Sequence, residues 1–221
     1  MARTALVTGA NRGIGLALCR RLKESGREVI AVCRKSSPAL DALGVRVEAG
    51  VDVTSDDAVA GLARHLKDVA LDELICSAGI LRDDDLDDRA YDDIRAQFEV
   101  NAVAPLRVVA ALHNNIGRGG KIALITSRMG SIGDNGSGGH YGYRMSKAAL
   151  NAAGMSLARD LALSGIAVAI LHPGYVRTDM TAGNGNIDPA GAAKQLVERI
   201  DALTPETSGT FWHANGQVLP W

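Results

Sequence analysis

Cysteine is scarce in this chain of 221 residues: three residues, Cys19, Cys33 and Cys76, widely spaced and with no CxxC pair. An odd, scattered set without an HxxxH companion argues against both a disulfide framework and a thiolate zinc site, and leads to the expectation of a reduced, cytoplasmic protein with no metal. Long hydrophobic runs are missing as well. None approaches the roughly 18 residues of a membrane helix, and the opening "TALVTG" is too short for the apolar region of a secretory signal. Neither sign of charge is in excess, with 24 Lys and Arg against 25 Asp and Glu, so there is no basic field for nucleic acid and no polybasic segment for a membrane surface. No internal repeat, low-complexity tract or proline-rich linker marks a boundary. One domain spanning 1–221 and a small-molecule partner are expected.

What the chain does contain is a rhythm of short apolar, β-branched runs. They lie at 4–8, 27–33, 46–53, 71–77, 121–126 and 166–172, with amphipathic stretches such as "GIGLALCRRLKESG" between them. Strand and helix in alternation build a parallel sheet covered on both faces, because right-handed crossovers return to the same sheet. Strands buried on both sides read as continuous apolar runs, as these do. The fold class is therefore α/β, a doubly wound Rossmann-type sheet. A short aromatic run before Asn215-Gly216, a tight-turn pair, predicts a seventh strand at the edge. The acidic run "RDDDLDDR" (82–89) reads as a solvated loop or helix start rather than a metal cage, since clustered Asp lacks placed carbonyl or His partners.

The first predicted strand runs into "TGANRGIG" (8–15), with Gly9, Gly13 and Gly15 around Asn11, Arg12 and Ile14. Glycines permit a tight turn and close approach of a diphosphate, and the helix N-terminus attracts the anion. The spacing G-x-x-x-G-x-G departs from the commoner fingerprint, and an ordinary strand-to-helix turn is the competing reading. The second predicted strand ends "AVCRKSS", with Arg34 and Lys35 and no carboxylate. In a dinucleotide fold an acidic residue there reads the ribose 2′-hydroxyl, whereas arginine accommodates a 2′-phosphate. Arg34, with Arg12 as a second guanidinium, favours NADP(H) over NAD(H).

The stretch "GGHYGYRMSK" (138–147) sets two tyrosines and a histidine before a lysine. On a helix, Tyr143 and Lys147 are four apart and about 40° from each other, whereas Tyr141 is roughly 240° from Lys147. A phenol beside an ammonium has its phenolate stabilised and its pKa lowered, which suits a general acid for a carbonyl oxygen or a base for an alcohol.

In order along the chain, "TGANRGIG", Asp52-Val53, "CSAG" (76–79), "FEVNAVAP" (98–105), "ITSRMGS" (125–131), "YRMSK" (143–147) and "HPGYVRTDM" (172–180) resemble the short-chain dehydrogenase/reductase family. The wording around "SRMGSIGDNGSGGHYGYRMSKAALN" and the closing "GQVLPW" look most like its small carbonyl-reductase-like and C-factor-like branch. The resemblance implies a seven-stranded, mainly parallel sheet in the order 3-2-1-4-5-6-7 and hydride transfer between a nicotinamide cofactor and a small carbonyl or alcohol. It implies Tyr143 as proton donor or acceptor and Lys147 as its neighbour and a ligand of the nicotinamide ribose. Ser127 would bond the substrate oxygen, and Asn101 would hold a water linking Lys147 to solvent. Asp52 and Val53 would flank the adenine, while Ser77, Ala78 and Gly79 would cover the cofactor by backbone. Thr178 would meet the carboxamide, with Pro173, Gly174 and Val176 shaping its loop. Pairing into a homodimer or homotetramer through two long helices at 90–112 and 143–163 is also implied.

Some positions depart from the family pattern. Cys76-Ser77 replaces a pair of asparagines, Ser127 and Tyr143 are sixteen residues apart with a Gly-rich loop between them, and only "TAGNGN" (181–186) stands where longer members carry a lid. The pocket is expected to be open, with Met129, Ser131, His140, Tyr175 and Met180 as candidate lining residues. His140, just before a helix, reads as a cap or a solvent-facing residue. Competing functions are an NAD-dependent alcohol dehydrogenase and a C-factor-like, cofactor-binding signalling protein.

Overall fold

The computed structural model describes residues 2–87 and 90–221, so Asp88 and Arg89 of the acidic run lie outside the described residues. Strands β1 (Thr4–Thr8), β2 (Glu28–Cys33), β3 (Arg46–Ala49), β4 (Leu71–Cys76), β5 (Ile116–Ile125), β6 (Ala167–His172) and β7 (Phe211–His213) form one sheet in the order β3-β2-β1-β4-β5-β6-β7. Every ladder is parallel. The order reverses between β2 and β4, on either side of β1, and this switch point opens a crevice at the C-terminal strand ends.

Alternation along each strand divides the core in two. Ala5 and Val7 of β1 point to one face, where Leu18 and Leu22 pack with Leu196 and Ile200. The first pair comes from α1 (Gly13–Glu24) and the second from α7 (Pro189–Ala202). Leu6 points to the other face. That face is covered by α3 (Asp56–His65), α5 (Ala104–Leu112) and α6 (Tyr141–Asp160), through Leu62, Val109 and Leu150 among others. The single turn α2 (Pro38–Asp41) follows β2, capped by Ser37.

Two strand bounds differ from the sequence reading. β3 stops at Ala49 because Gly50 turns into the left-handed region at φ +80°, which leaves Asp52 and Val53 beyond the strand. β5 begins earlier, at Ile116, and crosses a register shift opposite Leu71 and Glu73 that its glycines accommodate. The helical stretch predicted at 90–112 is three consecutive pieces: α4 (Tyr91–Phe98), a π-helical turn at Glu99–Val103, and α5. Such π turns insert one extra residue and redirect a side chain, here Asn101. Among the described residues no helix is long and apolar enough to cross a membrane.

Candidate active site

The glycine loop is shaped by exclusion. A Cβ on Gly15 would lie 2.1 Å from the Gly9 carbonyl oxygen, and one on Gly9, at φ +69°, would lie 2.7 Å from Ala78 Cα. Only hydrogens fit at these two positions, so β1, α1 and the loop after β4 close on one another. Thr8, unnoticed in the sequence, clamps that contact: its hydroxyl accepts from Ser77 N at 3.1 Å and Ala78 N at 3.3 Å. Arg12 occupies the cap position of α1 in extended conformation and makes no side-chain cap bond. The first-turn amides therefore face the cleft without a capping side chain, a ready cradle for an anion.

At the far end, Arg34 follows β2 and faces Asp52. Asp52 Oδ1 accepts from Thr54 N at 2.9 Å and Thr54 Oγ1 at 2.8 Å. These bonds, with Arg34 adding to them, hold the Asp52 carboxyl below its usual range. Arg12 is less available than the sequence reading supposed, because its guanidinium meets the Asp179 carboxylate at 3.1 Å. Both partners are exposed, so the pair is weak and can be exchanged for a ligand phosphate.

Tyr143 and Lys147 lie one turn apart on α6 and both are buried. Ser127, in extended conformation after β5, neighbours the Tyr143 phenol, and its hydroxyl accepts from Met129 N at 3.1 Å. Lys147 Nζ donates to the Ile125 carbonyl at 2.9 Å and stands 5.8 Å from the Tyr143 ring centroid. The expected lowering of the phenol pKa by this ammonium is not what the structure shows. Burial pushes Tyr143 up to about 12, opposed by the neighbouring Ser127 hydroxyl. Burial also brings Lys147 down to about 8.

Asn101 is fully buried, and its amide makes three bonds: Oδ1 accepts from Ile80 N at 2.9 Å, while Nδ2 donates to Ile80 O at 2.9 Å and Ser146 Oγ at 3.0 Å. Ser146 Oγ in turn donates to the Tyr143 carbonyl at 2.8 Å. The π turn, the loop after β4 and the first turns of α6 are thus joined through one side chain.

Glycine loop, Arg34, Asp52 and the Tyr143–Lys147 pair line a single cleft of about 390 Å3. Residues 3–187 match the profile of the short chain dehydrogenase family. The chain belongs to that family. It is 45% identical to 1-hydroxy-2-glutathionyl-2-methyl-3-butene dehydrogenase of Rhodococcus sp. (strain AD45), over 99% of both chains. It is 41% identical to the C-signal protein of Myxococcus xanthus over 62% of this chain and 83% of that one. Among solved structures, the NADPH-bound carbonyl reductase from chicken fatty liver superposes with a TM-score of 0.89 at 29% identity, over 100% of this chain and 94% of that one. The likeness to carbonyl-reductase and C-factor proteins read from the motifs is found again in these relatives.

Within this short-chain dehydrogenase the remaining expected residues divide. Asn11, Ile14, Val53, Ser77, Ala78, Gly79, Pro173, Thr178 and Met180 border the cleft. Asn101, Ser127, Gly174, Val176, Met129, Ser131, His140 and Tyr175 are not among the residues bordering it. Val176 is buried and bridges to Ile187, closing the short 181–186 segment onto its own base. Ser131 is buried and accepts from Asp134 N at 3.1 Å, and Tyr175 is 51% exposed. His140 makes no cap bond; it is left-handed at φ 51° and its Nδ1 is 3.1 Å from the Asp83 carboxylate. Tyr141 is the first residue of α6 and is largely at the surface. The sequence reading missed Ile80, Arg82, Ala96 and Val100, which wall the end nearest Tyr143. Nothing in their spacing announces them, because they arrive from a loop and a helix that only the tertiary fold places there.

Beside this site His172 and His213 meet edge to face at 4.9 Å. Burial, then the neighbouring His213 and Arg128, pull His172 down to about 3. A depressed pKa gives stability that is present above the unfolded value of 6.5 and is lost as pH falls toward about 3. The melting temperature of the dehydrogenase should fall between pH 6.5 and 5, where most carboxylates remain ionised. In His172→Gln, thermal melts over that window should show a shallower fall.

Proposed function

We propose that this protein is an NADP(H)-dependent oxidoreductase that reduces a small carbonyl compound, with Tyr143 as the proton donor. The observation that supports the reading is that Tyr143 and Lys147 line the same cleft as the glycine loop and Arg34, with Ser127 next to Tyr143. The residues fit such a cofactor. The Gly9–Gly15 cradle and uncapped α1 amides suit a diphosphate, Arg34 a 2′-phosphate, and Asp52 with Val53 an adenosine edge.

When bound, the cofactor supplies the hydride; the protein supplies orientation and the proton. The buried phenol, held up to about 12, is fully protonated at neutral pH and stands ready to donate to a carbonyl oxygen. Ser127, beside the phenol, offers a second hydroxyl to the substrate. Lys147, down at about 8, carries its charge below that pH and contributes a cation to the cleft floor. Asn101 holds the helix turn carrying Tyr143 against the loop after β4. Thr178 stands over Gly13 at the cofactor side of the opening. Pairing of two copies through α4–α5 and α6, where Tyr91, Leu106 and Met145 are exposed, belongs to the same reading.

A second reading is oxidation of an alcohol with NAD. Its alcohol-oxidising part is supported by the full-length relative from Rhodococcus, whose name makes it a dehydrogenase of a hydroxy compound carrying a glutathionyl group. The signalling reading has less support, since a binder has no need of the complete Asn, Ser, Tyr and Lys set. A panel of aldehydes, ketones and alcohols, including glutathionyl alcohols, assayed with both cofactors should give NADPH oxidation with a carbonyl. Turnover confined to alcohols with NAD would replace the first reading by the second, and no turnover at all would favour the signalling one.

A further inference from the structure

The helix that carries Tyr143 begins without a cap of its own. Its cap position, His140, is left-handed and makes no side-chain cap bond, and its first turn holds no acidic residue. The missing acceptor comes from 58 positions earlier in the chain. Asp84 Oδ2 accepts from Gly142 N at 2.8 Å, and the Asp84 carbonyl accepts from His140 N at 3.0 Å.

Asp84 belongs to the acidic run that reads as a solvated loop, yet it is only 7% exposed. A Cβ on Gly142 would lie 2.6 Å from Gln97 Nε2 and 2.9 Å from Asp84 Oδ2, so loop, α4 and α6 meet here without spare room. Gln97 is fully buried, and its Oε1 accepts from Arg82 N at 3.1 Å, which fastens the same loop to α4. Asp84 Oδ1 is buried without a protein partner, so the carboxylate is desolvated for its contact with the helix. A negative group at a helix N-terminus is favoured by the macrodipole as well as by the amide it satisfies.

We propose that Asp84 is a positioning residue for Tyr143: by capping α6 at Gly142 from the loop after β4, it fixes the first turn of the helix and holds the phenol against Ser127. The proposal rests on the reading of Tyr143 as the proton donor. Without the cap, the turn that carries Tyr143 frays, while the glycine loop and Arg34, on other elements, keep their places. The effect is therefore expected in kcat and not in cofactor affinity.

The experiment compares wild type, Asp84→Ala and Asp84→Asn, the last retaining an acceptor of the same shape. Three quantities are measured: NADPH affinity by fluorescence titration, kcat and KM on a carbonyl that wild type reduces, and amide hydrogen exchange of the segment 139–147. Asp84→Ala should lower kcat roughly 10- to 100-fold, the scale of a misplaced catalytic group. Its NADPH affinity should stay within about twofold, while exchange in 139–147 rises roughly fivefold, as loss of one cap predicts. Asp84→Asn should recover most of both losses. Wild-type kcat in Asp84→Ala, an Asn variant as impaired as the Ala variant, or unchanged exchange would each overturn the proposal. If wild type reduces no carbonyl, it is the reading of the function that fails, and the exchange comparison still decides whether Asp84 holds this turn.

Discussion

Tyr143→Phe should lower kcat for carbonyl reduction by at least about a thousandfold, within the 10²–10⁴ range that general acid catalysis contributes, while NADPH binds within about threefold of wild type. The substitution removes one oxygen from a buried site and leaves the ring, the Lys147 bond to Ile125 and the glycine loop in place. Phe has no proton to give, and Ser127 is too weak an acid to replace the phenol at neutral pH. Single-turnover kinetics with NADPH separate the two effects, because binding and hydride transfer are read independently. Wild-type turnover in this variant would remove Tyr143 from the mechanism. The pH dependence has a defined sign: with the phenol held up to about 12, the acid form is present throughout neutral pH. The loss of Lys147's charge near 8 should be the first event seen as pH rises.

Arg34→Asp should weaken NADP binding by roughly 10- to 100-fold, the worth of one charge-assisted phosphate contact, and should improve NAD binding. Arg34 stands at the end of β2 beside Asp52, on the cleft wall. Arg12 meets the exposed Asp179 carboxylate in a weak pair that a ligand phosphate can exchange, so Arg34→Asp tests the contribution of Arg34 apart from that of Arg12. A carboxylate in its place would repel a 2′-phosphate and accept from a 2′-hydroxyl. Parallel titrations with the two cofactors measure the ratio directly, and an unchanged ratio would show that Arg34 is not the selector.

Much of the site was legible before any coordinates. Gly9 and Gly15 stand where only hydrogens fit, and a glycine cluster after a first strand announces that constraint. Tyr143 and Lys147 were paired by helical spacing, a local property. Motif order brings Ser127 to the end of β5 and Asn101 to the π turn, close to Tyr143 in the fold. The errors share a different character. Asp84 was read as solvated because its neighbours are acidic, yet a distant helix buries it. Of the two readings of His140, cap or solvent-facing, the structure bears out the second, with a half-exposed side chain and no cap bond, while Ser131 and Tyr175 lie outside the cleft that their neighbours in sequence border.

The chain by itself determined the parallel doubly wound sheet, the glycine loop after β1 and the Tyr143–Lys147 pair, because these follow from periodicity and short-range spacing, which a linear code records. Only the tertiary structure decided the protonation of that pair. Burial, which depends on what every other element brings to the cleft, raises the Tyr143 phenol to about 12 and lowers the Lys147 ammonium to about 8. It also decided which residues cap, clamp and wall the site, since hydrogen bonds such as Asp84 to Gly142 and Thr8 to Ser77 join positions 58 and 69 apart in sequence.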